Sequence, residues 1–329
     1  AAWAARARDG ELRMKSSSGG VFSLLAEDTL AAGGAVSGAA MTPDCKSVRH
    51  VMVTDSQGLD ALRTSKYLQS ETGGCFRQVR EELARGRRVL FSGTPCQIDG
   101  LKSFLGRDYD NLLCMEVICH GVPSPALWKK YAEYIEKRGG APLTGVNFRH
   151  KICGWLTFGF RLENSKRRVL YSTLKNNPYF RMFLLNYCLR PSCYRCPSKG
   201  LDRRADLTLG DFWGIENVAP ELHDDTGTSL VLVHTPKGAE ALAGVLDRAE
   251  AKRVDLAAAL EGNSAMLRSA ARPPERDIFF ADMNALSFPA LRRKYVPRQP
   301  LKPALVCLLQ RCGLLDAALR LRRRLRRNR

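Results

Sequence analysis

Two short apolar runs, each followed closely by a cysteine, constrain the fold of this 329-residue chain more than any other feature. Val89-Leu90-Phe91 is bounded by basic residues and by Gly93, the look of a strand buried on both faces. Leu112 to Ile118 is a second such run, and the segment between them, roughly Gln97 to Leu105, reads as a helix. A β-loop-α-β order of this kind gives parallel neighbours joined by a right-handed crossover. Cys96 and Cys119 then both sit just past the carboxyl ends of adjacent strands, the edge at which open α/β sheets bind ligands.

Two more cysteines share the character of this pair. Cys193 and Cys196 form a C-x-x-C inside Arg190-Pro191-Ser192-Cys193-Tyr194-Arg195-Cys196-Pro197, while Cys96 follows Gly93-Thr94-Pro95 and Cys119 precedes His120-Gly121. Proline and glycine at such flanks fix the chain and let it turn sharply around a bulky inorganic group. Four thiolates serve either a [4Fe–4S] cluster or a closed zinc site. A four-cysteine zinc site usually has two C-x-x-C knuckles and this chain has one, so the widely spaced Cys96 and Cys119 favour the cluster. A thiol oxidoreductase would place its C-x-x-C at a helix start after a strand, whereas this pair follows a predicted helix and is hemmed by prolines. The other cysteines, Cys45, Cys75, Cys114, Cys153, Cys188, Cys307 and Cys312, read as small buried hydrophobes or inert thiols, with Cys153 beside Gly154-Trp155 as the outsider.

Elsewhere the pattern predicts helices over Gly20–Ala32, Gly74–Arg85, Pro125–Lys137, Asn177–Cys188 and Lys237–Ala249. Strands are predicted over Ala35–Met41, Ser47–Thr54, Asp206–Trp213 and Ser229–His234, with an antiparallel hairpin in the alternating stretch Gly145–Tyr171. Beyond Arg272 the pattern is loose and rich in proline. The expected fold class is α/β: a mixed, partly parallel sheet flanked by helices, with an antiparallel hairpin insertion and a helical basic C-terminal tail.

Composition sets the outer limits. With 45% hydrophobic and 26% charged residues the chain has ample means to bury a core. No run of 18 or more apolar residues and no export signal is visible, which makes the cytoplasm the expected location. Eleven cysteines in a chain this long fit metal ligation and buried thiols better than a disulfide framework. The net charge of +19 is concentrated late: eight arginines and one acid, Asp316, follow from Arg311 onward, interleaved with leucines. That spacing suits either a basic amphipathic helix on the inner face of an anionic membrane or a solvated tail. No nucleic-acid reader motif accompanies the charge. Ala1–Leu12 reads as the interior of something longer, the expectation being a chain that has lost an N-terminal portion.

Ser16-Ser17-Ser18-Gly19-Gly20 combines hydroxyls, unhindered backbone N–H groups and a helix N-terminus, which suits phosphate and equally suits a serine-rich N-cap. Ser65-Lys66-Tyr67 and Thr94 add a cation, an aromatic face and another hydroxyl of use to a flavin dinucleotide. Walker and G-x-G-x-x-G fingerprints are missing, as are Ser-His-Asp and H-E-x-x-H arrangements. Gly210-Asp211-Phe212-Trp213-Gly214 offers either a ligand-facing acid or a hydrophobic corner, and His120 either a proton donor or a loop tie.

These words in this order, Ser-Ser-Ser-Gly-Gly-Val-Phe, Ser-Lys-Tyr-Leu-Gln-Ser, Leu-Phe-Ser-Gly-Thr-Pro-Cys-Gln, Ile-Cys-His-Gly-Val-Pro-Ser-Pro, Asn-Phe-Arg-His-Lys, Arg-Pro-Ser-Cys-Tyr-Arg-Cys and Thr-Leu-Gly-Asp-Phe-Trp-Gly, resemble the coenzyme F420 hydrogenase/dehydrogenase β-subunit family over about Lys15 to Thr235. The resemblance implies an oxidoreductase subunit holding FAD beside a [4Fe–4S] cluster. Cys96, Cys119, Cys193 and Cys196 would be the cluster ligands, and Ser16, Ser17, Ser18, Gly19, Gly20, Lys66 and Thr94 would border FAD. A cluster moves single electrons and a hydride acceptor takes two, so a flavin between them can bridge the difference.

The implied partners are a ferredoxin-like donor or partner subunit and a two-electron acceptor, coenzyme F420 or an unidentified metabolite. Many relatives begin with a cysteine-rich ferredoxin-like segment, and this chain has no cysteine before Cys45. The expected organisation is a flavin and iron–sulfur domain over 1–235, a helical and loop extension over 236–303 and the basic tail over 304–329. Some bacterial members relate to polysaccharide modification. The rival reading is therefore a zinc-stabilised, non-catalytic accessory protein of a glycan pathway at the membrane surface.

Overall fold

The computed structural model describes residues 1–296, so the tail expected over 304–329, with Cys307 and Cys312, lies outside the described residues. In chain order the strands are β1 (Ala2–Ala7), β2 (Ala35–Met41), β3 (Val48–Val53), β4 (Ser70–Glu71), β5 (Val89–Gly93), β6 (Leu112–Val117), β7 (Leu143–His150), β8 (Gly159–Asn164), β9 (Val169–Thr173), β10 (Leu207–Asp211), β11 (Ser229–Val233) and β12 (Ala249–Val254). The chain divides into two compact units, the first made of Ala1–Thr42, Ser47–Val122 and Leu189–Ala271.

That unit is one nine-stranded mixed sheet in the order β12-β1-β11-β10-β6-β5-β2-β3-β4. Its centre is parallel: β2 pairs with β5, β5 with β6 and β6 with β10, with Val89 opposite Leu112 and Gly93 opposite Glu116. Alternation along the central strands divides the core between two faces. Leu90, Leu113 and Met115 pack with Val21, Leu24 and Leu25 of the helix Val21–Ala31. Val89, Phe91, Leu112 and Cys114 pack on the other face with Val79, Leu83, Ile98 and Leu101 from the helices Cys75–Ala84 and Pro95–Leu105. Burial on both sides explains the unbroken apolar runs in the sequence.

The mixed α/β sheet is therefore as expected, with several differences at its margins. Ala2–Ala7 is a strand between β11 and β12, and Ala249–Val254, taken in part as the end of a helix, is the strand beyond it. The helix before β12 stops at Ala243. A helix also covers Ser56–Leu62, where none was predicted; Asp55 Oδ1 caps it by accepting from the Gly58 N–H at 2.8 Å.

The second unit comprises Pro43–Lys46, Pro123–Cys188 and the chain from Arg272. The predicted hairpin is there with a third strand, β7-β8-β9, antiparallel throughout. Helices cover Pro125–Gly139, Pro178–Leu184, Arg276–Ala285 and Phe288–Tyr295, so the stretch beyond Arg272 is more ordered than its prolines suggest. Pro289 sits in the first turn of its helix, where the missing N–H costs nothing. Trp128 centres an aromatic core, 4.8 Å from the Phe148 ring and 5.1 Å from that of Tyr179, and its indole N–H donates to the Cys45 carbonyl at 2.9 Å. No helix among the described residues is long and apolar enough to cross a membrane.

Candidate functional site

The carboxyl ends of β5 and β6 build the site. After β5 the chain turns at Thr94, and Pro95 opens the helix Pro95–Leu105, with Cys96 in its first turn and exposed. Gln97 Oε1 accepts from the backbone N–H of Thr94 at 3.0 Å and from its hydroxyl at 3.1 Å, fixing that turn. After β6, Ile118 N–H still pairs with the Leu209 carbonyl at 2.8 Å, and the chain then peels away at Cys119.

The C-x-x-C segment forms a short 3-10 turn, Pro191–Arg195, tied back by Arg190 N–H to the Val122 carbonyl at 3.0 Å. Gly121 makes this approach feasible. Its φ is 154°, and a Cβ there would stand 2.9 Å from the Leu189 side chain and 3.4 Å from Cys193 Cβ. Cys196 N–H donates to Ser269 Oγ at 3.0 Å.

Of the four cysteines predicted as ligands, Cys96, Cys119 and Cys193 come within reach of one another's charge, and Cys196 lies beside Cys193. Burial pushes the Cys119 thiol up to about 12, with the neighbouring Cys193 and Cys96 adding to the rise, while Lys199 and the Gly121 N–H oppose it. Burial also raises Cys193, helped by Cys96 and Cys196 and opposed by the Val122 N–H. Each of these thiol pairs is thus close enough to feel the other's charge. Among the described residues no three His, Cys, Asp or Glu side chains converge tightly enough to hold a single metal ion. Cys45, Cys75, Cys114 and Cys188 are buried, and Cys153 is half-buried in the second unit.

The residues predicted to border FAD divide into two sets. Ser16 Oγ donates to the Leu12 carbonyl at 2.8 Å, Ser18 Oγ to the Thr228 carbonyl at 2.8 Å, and Gly19 N–H to Ser229 Oγ at 3.0 Å. A Cβ on Gly19 would lie 2.3 Å from the Ala5 carbonyl oxygen, and Gly20 has a φ of 90°. These four residues anchor and shape the loop. Ser17 instead reaches the Ser-Lys-Tyr segment, its Oγ accepting from Ser65 N–H at 2.7 Å. Lys66 Nζ donates to the Ala61 and Arg63 carbonyls, both at 2.7 Å, and burial pushes it down to about 7.

Thr94 belongs to the cysteine side: its hydroxyl is 3.3 Å from Cys96 Sγ. A hydrogen-bond chain runs on from it. Gln97 Nε2 donates to Ser70 Oγ at 2.9 Å, and Ser70 Oγ lies 3.1 Å from His50 Nδ1. His50 Nε2 is 3.1 Å from the Ser92 carbonyl, which can only accept, so Nε2 carries the proton and Nδ1 accepts from Ser70. Burial lowers the His50 pKa, the Ser92 carbonyl opposes that, and the Lys66 charge adds to the lowering.

Sequence reasoning missed Gln97, Ser70, His50 and Lys199 as members of this site. Gln97 left a readable signal, its place three residues after Thr94 in a capping box. Lys199 left only its distance of three residues from Cys196.

The family model for the C terminus of the coenzyme F420 hydrogenase/dehydrogenase beta subunit matches residues 86–258, just over half of the chain. That range contains Thr94 and all four cysteines and excludes the Ser16–Gly20 loop and Lys66. No curated protein matches the chain. Among solved structures, a chain of the xenon-derivatised F420-reducing [NiFe] hydrogenase complex from Methanosarcina barkeri superposes with a TM-score of 0.50 at 18% identity, covering 76% of this chain and 81% of that one. At that identity the likeness shows the fold. The family match and the fold agree: the chain belongs to the coenzyme F420 hydrogenase/dehydrogenase β-subunit family and is an oxidoreductase of that class.

Proposed function

We propose that this chain relays electrons through a [4Fe–4S] cluster on Cys96, Cys119, Cys193 and Cys196 and an FAD bordered by the Ser16–Gly20 loop, Lys66 and Thr94. The donor is a ferredoxin-like protein or partner subunit. The acceptor takes two electrons and is coenzyme F420 or another oxidised metabolite.

The observation that carries the reading is that Cys96, Cys119 and Cys193, from three chain segments, lie within reach of one another's charge, with Cys196 beside Cys193 and backbone N–H groups of Gly121 and Val122 directed at two of the sulfurs. The sulfurs of a single tetrahedral zinc lie about 4 Å apart. Thiols that sense one another without converging on a point suit the larger cluster better. An all-sulfur donor set is also the soft set that iron–sulfur clusters use.

When bound, the cluster exchanges single electrons and the flavin couples them to pairs. The chain's own residues do the rest. The helix start at Pro95 presents its positive end to the negative charge gathered by the thiolates. Ser17 joins the serine loop to the Ser-Lys-Tyr segment, and the Lys66 ammonium would meet phosphate charge there. Thr94 and Gln97 link Ser70 to Cys96 through hydrogen bonds.

Replacement of Cys193 or Cys196 by serine should remove iron, sulfide and the broad visible absorbance while the far-UV circular dichroism stays near wild type. Full iron and sulfide retention in both variants would sink the ligand assignment.

A further inference from the structure

The charge around the four cysteines singles out Lys199. This residue is half-buried and its ammonium donates to two backbone carbonyls, those of Cys119 and Ala265. Among the described residues it has no carboxylate partner. The acids in this region are taken elsewhere, Glu116 by Arg203 and Thr208, and Asp99 by Ser198. The negative charge within its reach is sulfur: its ammonium sits on the Cys119 carbonyl and it follows Cys196 by three residues, and although burial and Arg203 lower its pKa, the thiols of Cys119, Cys196 and Cys193 oppose that. The other nearby cations differ from it: Arg203 is buried but paired with Glu116, and Arg190 and Arg195 are exposed and screened by water.

A half-buried ammonium satisfied only by neutral carbonyls lacks a counter-charge. Thiolates ligating a cluster supply one. We infer that Lys199 is the counter-ion of the cluster held by Cys96, Cys119, Cys193 and Cys196, and that its charge sets the cluster's reduction potential. The inference rests on the four-cysteine reading above. A positive charge close to the sulfurs stabilises the reduced cluster, which carries one more negative charge, more than the oxidised one. Lys199 therefore raises the potential and eases electron entry. The same ammonium also ties the Cys119 loop to the Ala265 turn, so it is a positioning residue.

The test uses Lys199→Gln, which keeps an N–H donor and removes the charge, and Lys199→Arg, which keeps the charge. Both are made in the full chain and purified anaerobically, with iron and sulfide quantified and the midpoint potential measured by spectroelectrochemical titration. Lys199→Gln should lower the potential by about 59 mV, a tenfold change in the one-electron equilibrium, while Lys199→Arg stays near wild type. Loss of the cluster in the glutamine variant alone would also support the charge role. A full cluster at unchanged potential in Lys199→Gln overturns the inference, as does an equal shift or equal loss in both variants. Wild-type protein without iron overturns the four-cysteine reading itself, and that result is visible before either variant is made.

Discussion

His234 sits at the end of a buried polar chain. Its Nε2 lies 2.7 Å from the Thr208 hydroxyl, which donates to Glu116 Oε1 at 2.7 Å, and Arg203 Nε is 3.4 Å from the same carboxylate oxygen. With the hydroxyl proton committed to Glu116, the imidazole Nε2 must donate to Thr208. Burial lowers His234 from 6.5 to about 4, with Arg203 adding to the fall and Asp206 opposing it. Between those values the unfolded chain holds a proton that the folded one does not, so stability rises with pH across this window. His234 therefore contributes stability that is present above pH 6.5 and lost as the pH falls towards 4. In His234→Gln, which keeps the donor to Thr208, the urea midpoint should fall less between pH 7 and pH 4.5 than in wild type. Parallel pH profiles would contradict this assignment.

At the scale of elements, β5 and the helix after it depend on Phe91. The ring is fully buried, stacks on His50 at 5.3 Å and meets Phe76 edge-on at 5.9 Å. Phe91→Ala should cost about 3–5 kcal/mol in chemical denaturation. A loss below about 1 kcal/mol would mean that this face of the sheet collapses around the gap. The strands β5 and β6 were legible because burial on both sides leaves continuous apolar runs, and the cysteines beyond them because proline and glycine mark their turns. β1 was not legible: Ala2, Ala4, Ala5 and Ala7 have little strand preference of their own and are held by β11 and β12. The same tertiary pairing makes Ala249–Val254 a strand in spite of its helix-forming Ala, Glu, Lys and Arg. At the site, residue types and flanks marked the four thiols as candidates. Lys199 and Ser269 were hidden because only the folded chain brings the Ser264–Ser269 stretch against the C-x-x-C turn.

For the whole molecule, family membership and the nine-stranded sheet give the framework of an oxidoreductase subunit, and the proposed cofactors give it an electron path. Both proposed cofactors would draw on the first compact unit, since the cysteines, the serine loop, Lys66 and Thr94 all belong to it. The net charge of +19 suits acidic partners, and it is densest in the tail beyond the described residues. The central claim is that this unit carries both an iron–sulfur cluster and a flavin. Its most direct test is anaerobic purification followed by a visible spectrum, with iron, sulfide, zinc and flavin quantified on one sample. About four irons and four sulfides per chain with bound FAD is the predicted result, and zinc in their place, with neither iron nor flavin, would contradict it.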